Sequence, residues 1–424
     1  MTPKHPDSAT GATPLGNDVD ALTVTDVSNR LSELAVPIHA IEEVPILEAL
    51  NRVLAVDVIS PIDVPPHDNS AMDGYALDGA QLHAKSTLTL HVVGTALAGK
   101  PWQGQVKMGE CIKIMTGAVL PDGLNTVVPQ ELCNVSNQHI SFDTSLLSFG
   151  HNRRKQGEDL QKNSPAVLRG ARVTPAIMGL LASLGLSSVQ VTRRLKVAYF
   201  STGDEIMNLG DAPREGAVYD SNKYTLLGLL QNLGCNIVDM GVIPDQPAPL
   251  EKALRDAVCI ADVVITTGGV SGGDADYTKA MFKKLGNVEF WKIAMRPGRP
   301  MAVGQLKDKD QSALLFGLPG NPVAAMVTFL AFVKPALLQM MGNTDTPPPL
   351  LRATTREILR KKPGRTEYQR GIVSRDEQGQ LQVISTGNQG SGILSSMVQA
   401  NCLIVLSHAQ STAQVGDWVD VLML

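Results

Sequence analysis

Val263-Val-Ile-Thr-Thr-Gly-Gly-Val-Ser-Gly-Gly-Asp-Ala-Asp276 is the segment that most clearly indicates how the central part of the chain folds. It is a short apolar run that opens into a glycine-rich loop, and a helical pattern follows over residues 277–285. Similar apolar runs occur at residues 197–200, 237–243 and 314–317, each followed by polar residues and then a helical pattern. Apolar runs that alternate with helices predict an α/β domain with a parallel sheet.

The residues that leave each apolar run are the first candidates for a site, because ligands of open parallel sheets lie beyond the carboxyl ends of the strands. Glu205 and Asp245 follow two of the runs, and Asp276 closes the glycine-rich loop. Glycines let backbone N–H groups approach an anion, and a helix that begins at Pro322 adds its unpaired N–H groups. Carboxylates beside an anion suggest Mg²⁺ held against phosphate oxygens. The alternative is that these acids only form turns and cap helices.

A second candidate set is cationic and lies in Trp291-Lys-Ile-Ala-Met-Arg-Pro-Gly-Arg-Pro300. Lys292 and Arg296 have the same strand parity, which predicts that both side chains face one side of a strand. Arginine makes two-pronged contacts with oxyanions and lysine acts as a point charge, so the pair suits a polyphosphate or an oxyanion. A solvated edge strand defended by charge is the alternative.

The remaining segments predict a multidomain protein. Near its start the sequence predicts a short helix at residues 45–50, ended by Asn51 in the left-handed conformation, and then a strand at residues 54–58. Short β-runs separated by Gly, Pro and Asn indicate a small β-rich domain, and a helical pattern that resumes at Thr174 indicates that this domain is an insertion. After Pro347-Pro348-Pro349, alternating β-runs indicate a terminal β-barrel. The predicted parts are a disordered tail (1–22), a discontinuous domain I (23–65 and 161–194), an inserted β-rich domain II (66–160), an α/β domain III (195–343) and a β-barrel domain IV (344–424).

The composition argues against several classes of protein. A formal net charge of -4 leaves no excess of cations for nucleic-acid phosphates. The five cysteines are scattered without metal-ligand spacing, which is typical of small buried hydrophobic residues in a reducing compartment. The first twenty residues lack the apolar run of a secretory signal, so we expect a cytoplasmic protein. The apolar stretch 324–341 contains Lys334 and Pro335, which favours a buried core helix over a membrane span.

Nine motifs follow one another along the chain and together closely resemble the MoeA family, the molybdopterin molybdenumtransferases. The match extends over about residues 24–424, and the relatives of this family include the gephyrin E domain and a domain of the plant molybdenum insertase. The α/β part is also similar to the molybdopterin adenylyltransferases. The motifs are DNSAMDGYA (68–76), IMTGA (114–118), RRKQGED (153–159), STGDE (201–205), YDSN (219–222), TTGGVSGGDADYTK (266–279), KIAMRPGRP (292–300), GLPGNPV (317–323) and TGNQGSGILSS (386–396).

The resemblance implies a homodimer whose cleft combines domains III and IV of one subunit with the β-rich domain of the other. The implied reaction joins molybdate to adenylylated molybdopterin in an Mg²⁺-dependent step and releases AMP, and the adenylyltransferase is an implied partner. Its implied catalytic residues are Asp73, Thr116, Glu205, Asp245 and Asp276, of which the last three would surround the metal. The residues that it implies around the substrates are Arg154, Asp159, Gly268, Gly269, Ser271, Lys292, Arg296, Pro319, Pro322, Arg370 and Ser391.

Two other interpretations stay open at this point. The α/β part would also suit the preceding step, adenylyl transfer from MgATP to molybdopterin, although the extra domains argue against it. The resemblance to gephyrin also allows a non-catalytic scaffold. The sequence departs from the family at Arg296 and Arg299, where relatives often carry lysine, and at His67, where they usually carry an apolar or aromatic residue.

Overall fold

The structure is a computed structural model that describes residues 21–83, 86–269 and 276–424, except for the side chains of residues 83 and 276–280. The chain forms two compact units. We call residues up to 42, 51–53 and 191–424 the large unit, and residues 43–50 and 54–190 the β-rich unit. The finer division into four domains stays a prediction, and most of the predicted tail lies outside the described residues.

The helices agree with their sequence signals. The first begins at a capping box, in which Thr23 Oγ1 accepts from the Asp26 N–H at 3.1 Å and Asp26 Oδ2 accepts from the Thr23 N–H at 2.9 Å. A π-helical turn, Phe329–Val333, joins α6 to α7. The helices are α1 (Val24–Leu34), α2 (Pro175–Ser183), α3 (Ser221–Asn232), α4 (Pro247–Ile260), α5 (Asp276–Leu285), α6 (Pro322–Thr328), α7 (Lys334–Met340) and α8 (Ser395–Gln399).

The β-rich unit is built on a mixed sheet with the strand order β7-β4-β6-β5-β9-β8. Alternate residues of one strand serve two cores, since Tyr75 and Leu77 pack on one side of the sheet and Ala76 on the other. The strands of residues 41–192 are β1 (Ile41–Pro45), β2 (Val58–Ile59), β3 (Asn69–Ser70), β4 (Gly74–Leu77), β5 (Thr87–Ala96), β6 (Glu110–Ile114), β7 (Thr126–Pro129), β8 (Asn134–Ser136), β9 (His139–Asp143), β10 (Arg153–Arg154), β11 (Pro165–Val167) and β12 (Ser188–Thr192).

The large unit contains the α/β sheet, with the strand order β16-β13-β17-β21-β20-β18. Strands β16, β13, β17 and β21 are parallel as predicted, but β20 and β18 add an antiparallel edge, because the tight turn at Lys309 reverses the chain between β20 and β21. The strands are β13 (Lys196–Thr202), β14 (Ile206–Met207), β15 (Val218–Tyr219), β16 (Asn236–Ile243), β17 (Val263–Thr267), β18 (Gly286–Lys292), β19 (Met295–Arg296), β20 (Pro300–Asp308), β21 (Gln311–Leu318), β22 (Leu351–Thr355), β23 (Thr366–Arg375), β24 (Leu381–Ser385), β25 (Cys402–Leu406) and β26 (Trp418–Met423).

Both faces of the α/β sheet are buried, which explains its uninterrupted apolar runs. Val197 and Tyr199 belong to the core shared with α3 and α6, whereas Ala198 and Phe200 belong to the core shared with α4 and α5. Within the described part of the chain, one helical stretch, Pro322–Met340, is apolar and long enough to cross a membrane. Its most apolar window is 61% buried and contributes to the first of these cores, as predicted for a core helix.

The terminal strands form the predicted barrel. Strands β23, β24, β22, β26 and β25 pair in that order, and a further pairing between β25 and β23 closes the ring. Residues such as Val383, Ile404 and Val421 fill its interior. The large unit therefore contains an α/β sheet and a closed barrel.

Two predicted elements of the N-terminal region were wrong. The short helix expected at residues 45–50 is a single 3-10 turn, Ile46–Glu48. Of the strand expected at residues 54–58, only Val58 lies in a strand, β2. The N–H groups of Leu54 and Ala55 donate to carbonyls in two different parts of the chain, Ala171 O and Gln190 O, so these residues do not pair with a single partner strand. Asn51 does adopt the left-handed conformation expected after a helical turn, with φ 64°.

Candidate functional site

The carboxyl ends of three neighbouring parallel strands bring candidate acids to one edge of the α/β sheet. Glu205 follows β13 and is exposed, and Asp245 follows β16 and is partly buried. Asp276 is the first residue of α5, after the loop that leaves β17, but its side chain and the whole of Ser271 lie outside the described residues. Among the side chains that the structure describes, no group of three His, Cys, Asp or Glu is placed to hold a metal ion.

The two described glycines after β17 have backbone conformations that favour glycine. Gly268 has φ +90° and Gly269 has φ +66°. A Cβ atom at Gly268 would overlap the carbonyl oxygen of Thr202 at the end of β13. The chain here follows the neighbouring backbone so closely that only glycine fits.

The Pro319-Gly-Asn-Pro322 turn leads into α6, with Pro322 in the first turn, as predicted. The N-cap residue Asn321 makes no side-chain capping bond. Instead, the Val323 N–H donates to the backbone carbonyl of Ser391 at 3.1 Å. The barrel loop that carries Ser391 thus lies against the N-terminus of α6, and a contact between the Ser391 hydroxyl and a ligand stays a prediction.

The prediction that Lys292 and Arg296 share one strand was wrong. Lys292 ends β18 in the α/β sheet, whereas Arg296 lies in β19, which pairs with strand β23 of the barrel. Between them the chain leaves its sheet, because the Ile293 N–H donates to Arg299 O and the Ala294 N–H donates to Leu22 O, both at 2.8 Å. Parity along the sequence cannot reveal such a change of sheet.

Arg296 and Arg370 line a pocket of about 230 Å³ at the barrel. Arg370 is 1% exposed, and its guanidinium is held by neutral acceptors. Its Nε donates to Ser396 Oγ at 3.0 Å, and its Nη2 donates to Gly390 O at 3.0 Å and to Asn388 O at 3.3 Å. Burial, together with the charge of Arg296, lowers the pKa of Arg370 to about 10, so the guanidinium is still charged at neutral pH.

The acids of the same pocket already have partners. Glu367 accepts from Arg365 Nε at 2.9 Å, and Glu357 accepts from the Ser385 N–H at 2.5 Å. Arg360 also lines the pocket and is exposed. The pocket therefore offers cationic groups to an oxyanion. Arg360, Glu357 and Glu367 were missed by the sequence analysis, because the charged residues of this region form no motif.

The β-rich unit holds four further residues that the resemblance implies for the site, Asp73, Thr116, Arg154 and Asp159. The Thr116 N–H and Oγ1 each donate to Asp73 Oδ1 at 2.7 Å. These bonds, first from the backbone and then from the hydroxyl, lower the pKa of Asp73. The structure thus joins two residues that are 43 positions apart.

Backbone bonds join three motif loops of the β-rich unit. The Gly117 N–H donates to Ser70 O at 2.8 Å, and the Ala71 N–H donates to Asn152 O at 2.9 Å. Arg154 lies opposite Asn69 in the pairing of β10 with β3, and its side chain is exposed. The Asp159 side chain is also exposed, and its N–H donates to Val64 O at 3.0 Å.

All five cysteines are free in the structure. Cys111, Cys235 and Cys402 are buried, and burial raises the pKa of Cys402 to about 11. Cys259 is exposed, which corrects the expectation that every cysteine is a buried hydrophobic residue.

Three family models match the chain in sequence. They are the MoeA N-terminal region (domain I and II) at residues 22–185, the probable molybdopterin binding domain at residues 198–339 and the MoeA C-terminal region (domain IV) at residues 352–424.

Full-length relatives are similar as well. A molybdopterin molybdenumtransferase of Haemophilus influenzae is 42% identical over 93% of this chain and 96% of its own length, and one of Bacillus subtilis is 33% identical over 90% of both. The crystal structure of the molybdopterin biosynthesis moeA protein of Pyrococcus horikoshii is 26% identical with a TM-score of 0.81, over 96% of this chain and 100% of its own.

Proposed function

Since this chain belongs to the MoeA family of molybdopterin molybdenumtransferases, we propose that it inserts molybdenum into molybdopterin, joining molybdate to adenylylated molybdopterin with release of AMP. One observation carries the proposal at the level of residues. The loop that ends at Ser391 accepts hydrogen bonds from Arg370 in the arginine pocket and from Val323 at the N-terminus of α6. An oxyanion pocket and a phosphate-binding edge are thereby joined by one short segment of chain.

The physical difficulty of this reaction is that two anions must come together. Arg296 and Arg370 would attract molybdate with their positive charges. Hydrogen bonds within the protein already hold the Arg370 guanidinium in place. We assign the phosphates to the backbone segments at Gly268, Gly269 and the turn before α6, which lie next to one another at the sheet edge. Catalysis of this kind depends on positioning and charge neutralisation more than on a protein nucleophile.

The donor chemistry of the sheet edge fits Mg²⁺. The metal prefers oxygen ligands, and it commonly takes one or two carboxylates together with substrate phosphates and water. Glu205, Asp245 and Asp276 would hold it, and when bound it would neutralise phosphate charge. Two of these acids leave adjacent strands, β13 and β16, which is the support that the fold gives to this assignment.

In the proposed homodimer, the β-rich unit of one subunit contributes residues to the site of the other. We assign Asp73, Thr116, Arg154 and Asp159 to the same cleft in a homodimer, with each β-rich unit serving the partner's large unit. The Asp73–Thr116 pair supports this assignment, because it fixes an accessible carboxylate beside other motif loops. The proposal also includes a cytoplasmic location and delivery of the substrate by the adenylyltransferase.

The test of function compares two reactions with the purified full chain. With Mg²⁺, molybdate and adenylylated molybdopterin, we expect release of AMP and formation of active molybdenum cofactor. With MgATP and molybdopterin, we expect no adenylylated product. The reverse pattern would identify an adenylyltransferase, and inactivity in both assays would leave a scaffold role.

A substitution tests the metal assignment. Asp276→Asn removes a charge with little change in volume, so AMP release should be abolished while sedimentation still shows the dimer. Asp256→Asn is the matched control, because Asp256 is an exposed acid in α4 that pairs with Lys252 at 2.6 Å. Turnover near the wild-type rate in Asp276→Asn would show that the magnesium assignment is wrong.

A further inference from the structure

A buried chain of hydroxyl groups connects strands β13 and β17 below the sheet edge. Tyr199 OH lies 2.8 Å from Ser201 Oγ and 2.9 Å from Thr267 Oγ1, and Ser201 Oγ donates to Asp220. These four side chains are all less than 5% exposed. Buried polar groups are costly unless they are paired, so a connected network of this kind fixes its members in one arrangement.

Asp220 determines which hydroxyl groups of the network donate and which accept, because an ionised carboxylate can only accept. Its other oxygen accepts from the Lys223 N–H at 3.0 Å, so the residue also caps the N-terminus of α3. Because Ser201 donates to Asp220, the Ser201 oxygen is free to accept from Tyr199, and Tyr199 can then accept from Thr267. Thr267 is the last residue of β17 and directly precedes Gly268, so the network reaches the point where the chain leaves the strand.

Asn222 makes a comparable contact with the turn before α6. It lies in the first turn of α3, is 8% exposed, and its Nδ2 donates to Gly320 O at 2.7 Å. Gly320 lies next to Gly268, since a Cβ built on Gly320 would be 3.9 Å from Gly268 Cα. The N-terminus of α3 thus contacts the turn before α6 directly through Asn222, and Asp220 reaches the end of β17 through the hydroxyl groups of Ser201, Tyr199 and Thr267.

We propose that Asp220 and Asn222 are positioning residues that hold the backbone at Gly268 and Gly320 in the arrangement that binds the nucleotide phosphates. The inference rests on the proposed function for the identity of the ligand. The two residues touch backbone and hydroxyl groups of the protein, and they act on the ligand only through Gly268 and Gly320. Molybdate should depend on them less than the phosphates do, because no residue that lines the arginine pocket belongs to α3.

The test uses Tyr199→Phe and Asn222→Ala in the full chain. Tyr199→Phe removes one hydroxyl from the middle of the network and leaves the ring in place. Asn232→Ala is the control, because Asn232 is the same residue type at the other, exposed end of α3. AMP affinity is measured by calorimetric titration, and KM is measured separately for adenylylated molybdopterin and for molybdate.

In both variants we expect AMP binding to weaken about tenfold and the KM for adenylylated molybdopterin to rise by a similar factor, which is the size of effect of a lost buried hydrogen bond. The KM for molybdate should stay within about twofold. If the variants keep the wild-type AMP affinity and only their melting temperature falls, the network has a structural role alone and the inference is wrong. The inference is also wrong if the wild-type chain binds no AMP. Weakened AMP binding in a chain without turnover would support the inference and refute the proposed function.

Discussion

Arg370 in the large unit and Asp73 in the β-rich unit are both charged site residues, but they are held in opposite ways. Arg370 is buried and bonded to acceptors from three residues of the barrel loop and α8. The Asp73 carboxylate accepts hydrogen bonds from one residue, Thr116. We therefore expect substitutions in the arginine pocket to change both activity and stability, and substitutions in the Asp73 loop to change activity alone.

The largest effect is expected for Arg370→Ala. The change removes a buried side chain and leaves the carbonyls of Asn388 and Gly390 without their donor, so the free energy of unfolding should fall by about 2–4 kcal/mol. Molybdate-dependent AMP release should be lost as well. Urea denaturation measures the stability, and Arg375→Ala is the control on the same strand, where an exposed arginine should change it by less than about 0.5 kcal/mol. Equal losses in the two variants would remove the distinction between the pocket and the surface.

The opposite pattern is expected for Asp73→Asn. The amide keeps the shape and an acceptor oxygen for Thr116, so the melting temperature should stay within about 1 °C. The carboxylate charge is lost, and turnover should fall about a hundredfold if Asp73 acts in the reaction.

Asp143→Asn is the matched control in the same unit. Asp143 also accepts from a nearby N–H, that of Ser145 at 2.8 Å, and its pKa is lowered in the same way, first by the Ser145 side chain and then by its backbone. Equal activity losses in Asp73→Asn and Asp143→Asn would mean that the Asp73 loop has no special role.

The parts of the fold and site that could be predicted from the sequence are those that depend on local patterns. The α/β sheet and the barrel were predictable, because uninterrupted apolar runs and alternating runs are local patterns. Asp73 and Thr116 were identified by the resemblance of their motifs. The antiparallel edge of the sheet was not predicted, because the direction of β18 and β20 depends on a turn after the helices have been placed.

The rest of the site depends on contacts between residues that are far apart in the chain. Tyr199 and Thr267 are separated by 68 positions, and nothing near either residue indicates that they share a hydrogen bond. Arg296 was assigned to the wrong strand for the same reason, since its partner strand β23 begins 70 positions later. The motifs identified the candidate site residues, whereas the tertiary contacts determine the hydrogen-bond and strand partners of each residue.

The smallest effect concerns the pH dependence of the Asp73–Thr116 pair. Because the folded-state pKa of Asp73 is lowered, its contribution to stability is present above the unfolded pKa of about 4 and is lost as pH falls through the folded-state pKa. Thr116→Val removes the hydroxyl donor and keeps the N–H donor, which is the larger cause of the shift. The pKa of Asp73 in this variant should therefore lie between its wild-type value and its ordinary value, as measured by NMR titration of the carboxyl carbon. The melting temperatures of the wild type and the variant should differ above about pH 4 and converge in stronger acid. Identical titration curves would mean that the hydroxyl contributes nothing, and the loop would then be held by its backbone alone.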